Sequence, residues 1–143
     1  MKRVVSCGFN MDTGCVEATY EDGSMIAARD KYGRLPLIIG QKRSAEDGQV
    51  CGHCATFEDF AMLKLDYVFE RELGPGEIVR ITADSITQLS APRQKKRICA
   101  FLWTYYGYPN ASYEGVSVEE MRNRCGEYLA KRDERKIEPD LIA

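Results

Sequence analysis

The chain has 143 residues, 44% of them hydrophobic, and its 20 Lys and Arg against 22 Asp and Glu give a formal net charge of −2. This length predicts one compact domain, and the near-neutral charge excludes a global attraction to nucleic acid or to an anionic membrane surface. No apolar run approaches the roughly 20 residues needed to cross a bilayer. We therefore expect a cytoplasmic protein, with neither nucleic acid nor membrane among its partners.

The first half of the chain is typical of β-structure. The alternating segment Cys15–Tyr20, a Glu-Asp-Gly turn at 21–23 and the apolar residues 24–28 predict a β-hairpin. An apolar run at 35–39 predicts a buried strand that begins beside a proline, where no ladder hydrogen bond is lost. The polar residues 41–48, which end in glycine, predict a surface loop.

A short helix and a second hairpin are predicted next. Thr56 is a suitable N-cap, with acidic residues in the first turn that follows. Helical spacing after it relates Phe57, Phe60, Ala61 and Lys64. The Gly-Pro-Gly sequence at 74–76 fits a type II turn, and residues 77–81 and 85–89 form the hairpin beyond it.

The composition changes after a linker from Ser90 to Arg97. The aromatic residues from Ile98 to Tyr106 predict a β-strand. Ser117 opens a capping box with the glutamate three residues later, which predicts the start of a helix. We expect this helix to end near residues 132–136, and residues 140–142 to begin another strand. The residues predicted to line its apolar face are Val118, Met121, Cys125, Tyr128 and Leu129.

These elements predict an α+β fold, in which an antiparallel sheet with a flanking helix is joined to the first strand and helix of a βαβ unit. The basic cluster Lys95-Lys96-Arg97 is interpreted as a solvated edge of the linker, with a phosphate contact as the alternative.

Four stretches, in this order, resemble the middle of the amidophosphoribosyltransferases. Residues 14–37 end in R-D-K-Y-G-R-L-P-L, which is similar to the family's "RD, two residues, G, one residue, RPL" segment. Residues 50–55 stand where the family has an Ala-Ser-Glu strand end. Residues 71–81 resemble its "reL-PGEiv-I" segment, and residues 98–112 resemble its "CiFEyvYfaRPDS" segment.

The resemblance implies a division of the chain into two regions. Residues 1–92 would be a partial Ntn (glutamine amidotransferase type 2) region, and residues 98–143 the beginning of a phosphoribosyltransferase-like region. The implied activity is the glutamine-dependent amination of phosphoribosyl pyrophosphate in purine biosynthesis, with Mg and, in part of the family, an iron–sulfur cluster as cofactors. Several positions depart from the family pattern, namely Leu35, Gly52, His53, Tyr108 and Asn110.

The family's own reactive groups are expected outside this sequence. Its nucleophile is an N-terminal cysteine whose α-amino group acts as the base, and the matching segment begins well after it. Its phosphoribosyl pyrophosphate loop would come just after Ala143. Cys7, which precedes a glycine as the family's nucleophile does, is interpreted as an ordinary cysteine. We therefore expect a chain with no catalytic residues that is inactive alone, either forming a homo-oligomer or complementing a second subunit.

The sequence Cys51-Gly52-His53-Cys54 is the alternative source of chemistry. It is identical to the redox tetrapeptide of protein disulfide isomerases, and it precedes a predicted helix, whose dipole would lower a thiol pKa. Thiol-disulfide exchange by Cys51 and Cys54 is thus a second hypothesis. A zinc site would be one ligand short, because His53 is the only histidine in the chain.

Two further groups have a structural and a functional interpretation. Cys99 occupies the position of one iron–sulfur ligand in part of the family, but we interpret it as a buried strand residue, so that no metal site is predicted. Tyr105, Tyr106 and Tyr108 are interpreted as core residues or, since this strand lies at the domain junction in the family, as interface residues. A non-catalytic interaction module is the third hypothesis for the whole chain.

Overall fold

The computed structural model describes residues 4–10 and 15–133. Their helices are α1 (Phe60–Leu63), a π-helix (Leu102–Tyr106) and α2 (Val118–Arg132). Their strands are β1 (Val4–Asn10), β2 (Cys15–Tyr20), β3 (Met25–Ala28), β4 (Ile38–Arg43), β5 (Val50–Thr56), β6 (Val68–Glu72), β7 (Ile78–Ile81), β8 (Ile86–Ser90), β9 (Ser112–Tyr113) and β10 (Val116–Ser117). None of the helices in this part of the chain is long and apolar enough to span a membrane.

Both predicted hairpins are confirmed, and they belong to one antiparallel sheet. Its strand order is β1-β2-β3-β7-β8. The turn between β2 and β3 contains Gly23 at φ +77°, and the turn before β7 contains Gly76 at φ +68°. Glycine has no Cβ and adopts these angles without strain. The turn of the second hairpin, between β7 and β8, is closed by Thr82, whose side-chain oxygen accepts from the backbone N–H of Ser85 at 3.0 Å.

A second antiparallel sheet has the order β5-β4-β6. It shares one hydrophobic core with the first sheet, because the buried side chains come from both. They are Ala27, Leu37, Ile39, Leu73, Val79 and Ile81. The predicted strand at 35–39 begins only at Ile38, and the predicted loop at 41–48 is shorter, since β4 continues to Arg43 and pairs with β5.

The predicted helix after Thr56 is reduced to the single turn of α1. Thr56 lies in β5, and the N-cap position is Asp59, which makes no side-chain cap bond. Both carboxylate oxygens of Asp59 instead accept a bond from the backbone N–H of Ser112, 3.2 Å away. Asp59 therefore ties this turn to β9.

The predicted aromatic strand is wrong, because the residues from Leu102 to Tyr106 form a π-helix. Arg122 of α2 explains this outcome. Its Nε donates to Trp103 O at 2.8 Å and its Nη2 donates to Gly107 O at 2.8 Å. Trp103 Nε1 also donates to Val116 O at 3.1 Å. These hydrogen bonds from Arg122 and Trp103 stabilise the π-helix, and they outweigh the high β-propensity of its residues.

Helix α2 is confirmed at its predicted start. Ser117 is the N-cap, and its side chain accepts a bond from Glu120 N. The predicted apolar face has no cover along most of its length, since Val118 is buried whereas Tyr128 and Leu129 are 72% and 66% exposed. A second core cluster forms at the start of the helix from Leu102, Ala111, Tyr113 and Val118. The strand predicted at 140–142 lies outside the described residues.

Candidate functional site

The most deeply buried cationic group in the described residues is Arg29, which is 3% exposed and follows β3 directly. Three backbone carbonyls accept from its guanidinium: Nε donates to Leu35 O at 2.7 Å, Nη2 to Gly33 O at 3.1 Å, and Nη1 to Leu73 O. Since arginine stays protonated in proteins, this buried charge needs anionic partners as well.

Two glutamates supply those partners. Glu114 Oε1 accepts from Arg29 Nη2 at 2.9 Å, and Glu72 Oε1 lies 3.2 Å from Arg29 Nη1. Glu72 Oε2 accepts from the backbone N–H of Glu114 at 3.0 Å. Lys96, from the predicted linker, binds the second oxygen of Glu114. Arg29, Glu72, Lys96 and Glu114 form what we call the ionic cluster.

The two carboxyl groups of the ionic cluster differ in acidity. Burial raises the pKa of Glu72, and the nearby charge of Glu114 acts in the same direction. Burial would also raise the pKa of Glu114, but hydrogen bonds from Lys96 and Arg29 outweigh it and lower that pKa. Glu114 has φ +51°, an uncommon conformation for a residue with a Cβ. The ion pairs of Glu114 with Arg29 and Lys96 therefore hold the turn between β9 and β10 in place and connect it to the segment that follows β3.

The geometry favours a structural role for the ionic cluster. The four hydrogen bonds that the Arg29 guanidinium donates all go to protein atoms, and the other members of the cluster come from β6, the linker and the β9–β10 turn. Asp30 likewise closes its own turn, accepting from the backbone N–H groups of Tyr32 and Arg34 at 2.9 and 2.7 Å. Arg29 and Asp30 are therefore both used in contacts that hold the segment after β3 in place.

The predicted redox segment lies in a different environment from the expected one. Cys51 to Cys54 belong to β5, and α1 begins only at Phe60, so the motif precedes a helix but does not lie at its N-terminus. Cys51 is the extra residue of a β-bulge opposite Lys42 and Arg43. Burial raises the pKa of the Cys54 thiol. A helix dipole that would lower a thiol pKa is absent from this strand.

His53 and Cys99 are engaged in structure as well. His53 Nδ1 lies 2.9 Å from Thr82 O, and its Nε2 lies 3.7 Å from Glu70. Cys99 is half-buried, and its backbone N–H donates to Arg34 O at 2.9 Å. Cys99 precedes the π-helix rather than lying in a strand. Among the described residues, no group of three or more His, Cys, Asp or Glu could hold a metal ion.

Tyr105, Tyr106 and Tyr108 lie on the surface rather than in a core. They are 77%, 62% and 60% exposed. The Tyr105 ring contacts Tyr106 at 5.7 Å and Phe101 at 6.5 Å between centroids. Tyr105, Tyr106, Tyr108 and Phe101 make up what we call the aromatic surface. A large exposed group of this kind is a feature of interaction sites.

Sequence reasoning missed Glu114, Arg122 and Gly107. A Cβ at position 107 would lie 2.5 Å from Leu102 O and 2.8 Å from Val118 Cγ2. Only glycine fits there, so Gly107 allows the π-helix to pack on α2. The sequence contained one usable signal, namely a glycine inside an aromatic run, which weakens a strand prediction.

Comparison with known proteins gives two results for different parts of the chain. Residues 1–30 match the model of a family of unknown function, DUF6061. Most of the chain is similar to amidophosphoribosyltransferases. It is 36% identical over 115 residues to amidophosphoribosyltransferase 3, chloroplastic, of Arabidopsis thaliana, covering 78% of this chain and 20% of that protein. It is 32% identical over 143 residues to the enzyme of Synechococcus elongatus, covering 94% and 25%.

Solved structures share the fold. One is titled as the allosteric regulatory enzyme of purine biosynthesis, with a TM-score of 0.66 and 22% identity over 85% of this chain and 26% of that chain. The other is the glutamine phosphoribosylpyrophosphate amidotransferase from B. subtilis complexed with ADP and GMP, with a TM-score of 0.66 and 24% identity over 87% and 26%. The chain thus spans about a quarter of the length of these relatives.

Proposed function

We propose that this chain, which is homologous over most of its length to part of the amidophosphoribosyltransferases, serves purine nucleotide biosynthesis as a non-catalytic scaffold. The reaction concerned would be the glutamine-dependent amination of phosphoribosyl pyrophosphate. In this proposal the chain works with a polypeptide that carries the nucleophile and the sugar-phosphate loop. Glutamine, phosphoribosyl pyrophosphate, Mg and any iron–sulfur cluster would then bind to that polypeptide.

The observation that carries the proposal is that the chain has the fold of the family, while its buried arginine makes structural contacts. The two sheets match the amidotransferase fold at a TM-score of 0.66, yet the guanidinium of Arg29 is consumed by the ionic cluster. Cys7 lies within β1, with residues of the strand on both sides of it. An Ntn nucleophile needs its own free α-amino group as the base, and Cys7 has no such group in this chain.

The proposed division of the chain follows the family. Residues 1–92 would be the Ntn-type region, because they contain the two antiparallel sheets. Residues 98–143 would begin the transferase-type region. The ionic cluster crosses this boundary, since Arg29 and Glu72 come from the first region and Glu114 from the second. The two regions are therefore expected to fold as one unit.

The aromatic surface is the proposed contact with the complementing polypeptide. Tyrosine is enriched at binding sites because its rigid ring buries much area at a low cost in conformational entropy. Tyr105 and Tyr106 are the most suitable anchors, since they adjoin each other and are both largely exposed.

Two assays test this function. The purified chain, given glutamine, phosphoribosyl pyrophosphate and Mg, should release no glutamate or pyrophosphate above the buffer rate. The labelled chain should form a complex with the amidophosphoribosyltransferase encoded in the same genome, as measured by sedimentation velocity. The double variant Tyr105→Ser, Tyr106→Ser should weaken that complex at least about tenfold. Leu65 lies elsewhere on the surface and is 63% exposed, so Leu65→Ser should leave the complex unchanged. Glutaminase activity of the chain, or the absence of a complex, would overturn the proposal.

The redox hypothesis is not favoured by the arrangement of β5. The Cys54 thiol has a raised pKa, Cys51 lies in a bulge, and neither thiol is at the start of a helix. An insulin-reduction assay with Cys51→Ser as the control distinguishes it, because the scaffold proposal expects no activity in either protein.

A further inference from the structure

Strand β1 presents an open edge in the described part of the chain. It pairs with β2 on one side and is the last strand of the five-stranded sheet on the other. The row of backbone N–H and C=O groups at such an edge is a template for another strand. Its residues 4–8 are all exposed, Val5 by 66%, so no described element of this chain covers either face of the strand there.

Composition and exposure together distinguish β1 from the other edge strands. Its sequence, VVSCGFN, contains no charged residue in seven positions. Of the edge strands, β8 is also uncharged, but it has an extra residue at Leu89 and is half-buried at both ends, whereas the described side chains of β1 are all exposed. By contrast, β6 contains Glu70, Arg71 and Glu72, and β5 is interrupted by the bulge at Cys51. Charges and bulges are the usual means by which proteins protect a sheet edge. In β1 the only irregularity is the extra residue between Val4 and Ser6, and residues 6–10 pair regularly.

We propose that β1 pairs antiparallel with β1 of a second copy of this chain, which joins two five-stranded sheets into one. A second copy is the occupant that the strand fits best, because a strand that pairs with itself meets its own charges and β1 has none. Antiparallel self-pairing also generates a two-fold axis, the commonest symmetry of protein dimers. This interface is separate from the aromatic surface, so its test does not depend on the proposed function.

The symmetry specifies where the two copies touch. If the whole strand pairs, Cys7 is at its centre and lies opposite Cys7 of the second copy. If only the regular residues 6–10 pair, Gly8 is at the centre and the two Cys7 are diagonal neighbours. The two Cα atoms are then about 4.5–8 Å apart in either register. A short bismaleimide that spans this distance should therefore join the two thiols.

A charge at the centre of the strand tests the pairing directly. A Cβ at Gly8 would meet no atom within 4 Å, and its φ is not in the left-handed region, so Gly8→Lys should fold. It places two lysines opposite or diagonal across the axis, where like charges repel. Gly126→Lys in α2 is the matched control, because a Cβ there also meets no atom within 4 Å. Circular dichroism checks that both variants keep the fold.

Sedimentation equilibrium should show a concentration-dependent dimer of the unaltered chain, from which its dissociation constant is measured. Gly8→Lys should raise that constant at least about tenfold, and Gly126→Lys should leave it unchanged. In a chain in which Cys51 and Cys125 are replaced by serine, the bismaleimide should produce a covalent dimer. Adding Cys7→Ser to that chain should abolish the covalent dimer. A monomer at all concentrations, or a dimer that persists in Gly8→Lys and cross-links without Cys7, would overturn the proposal.

Discussion

The two-sheet region and the helical region bury their side chains in different ways. In the first, β3, β4, β7 and the segments beside them contribute six side chains that are at most 2% exposed. In the second, α2 is 15 residues long and buries only Val118. The first region has its own closed core, whereas the second is held to the first by the ionic cluster and by Leu35, Phe57 and Phe60, which pack against its small core. Its remaining apolar residues are available for contacts with another molecule.

The largest expected effect comes from removing the link between these regions. Arg29→Met deletes a guanidinium that bonds three carbonyls and two carboxylates. It leaves Glu72 without its ion-pair partner beside Glu114, which keeps only Lys96. Breaking a buried ion pair in this way costs about 3–5 kcal/mol of unfolding free energy, which urea denaturation measures.

Arg34→Met is the control for that variant. Arg34 is exposed, and its hydrogen bonds are made by its backbone, whose N–H donates to Asp30 and whose C=O accepts from Cys99 N–H. Its replacement should change stability by less than about 0.5 kcal/mol. Equal losses in the two variants would show that the ionic cluster does not connect the regions.

A matched pair of leucines sharpens the comparison. Leu73 is fully buried in the sheet core, and Leu129 on α2 is 66% exposed. Leu73→Ala should cost about 3 kcal/mol, from lost burial and from the cavity left behind. Leu129→Ala should cost less than about 0.5 kcal/mol in the isolated chain. A large loss of stability from Leu129→Ala would mean that this face of α2 is covered in solution. That outcome would contradict the exposure of Leu129 in the structure.

The same contrast explains what the sequence alone could predict. The hairpins were predictable because their turns are set locally, by Gly23 between β2 and β3 and by the Thr82–Ser85 hydrogen bond between β7 and β8. The aromatic strand was predicted wrongly because its conformation depends on Arg122 of α2 and on the close approach at Gly107. The ionic cluster was missed for a related reason, since Arg29 and Glu114 are 85 positions apart. Tyr105, Tyr106 and Tyr108 of the aromatic surface were identified from the sequence as core or interface residues. Their exposure follows from the fold and could not be predicted.

The smallest expected effect concerns acid stability in the turn before β7. Burial would raise the pKa of Glu77, but hydrogen bonds from Gly74 N–H, Gln88 and Arg71 outweigh it and lower that pKa below its ordinary value of 4.5. A carboxyl whose folded pKa is lowered stabilises the fold above its unfolded pKa, and the contribution is lost as the pH falls through the folded pKa. Glu77→Gln places an amide among three donors and should cost about 2 kcal/mol at pH 7. The deficit should shrink as the pH falls through the lowered pKa of Glu77, because the carboxyl then becomes protonated in the unaltered chain. Urea denaturation between pH 3 and pH 7 measures both effects, and Glu46→Gln, at an exposed position, should show neither. A stability deficit for Glu77→Gln that is constant over this range would show that the Glu77 carboxylate does not contribute to acid stability.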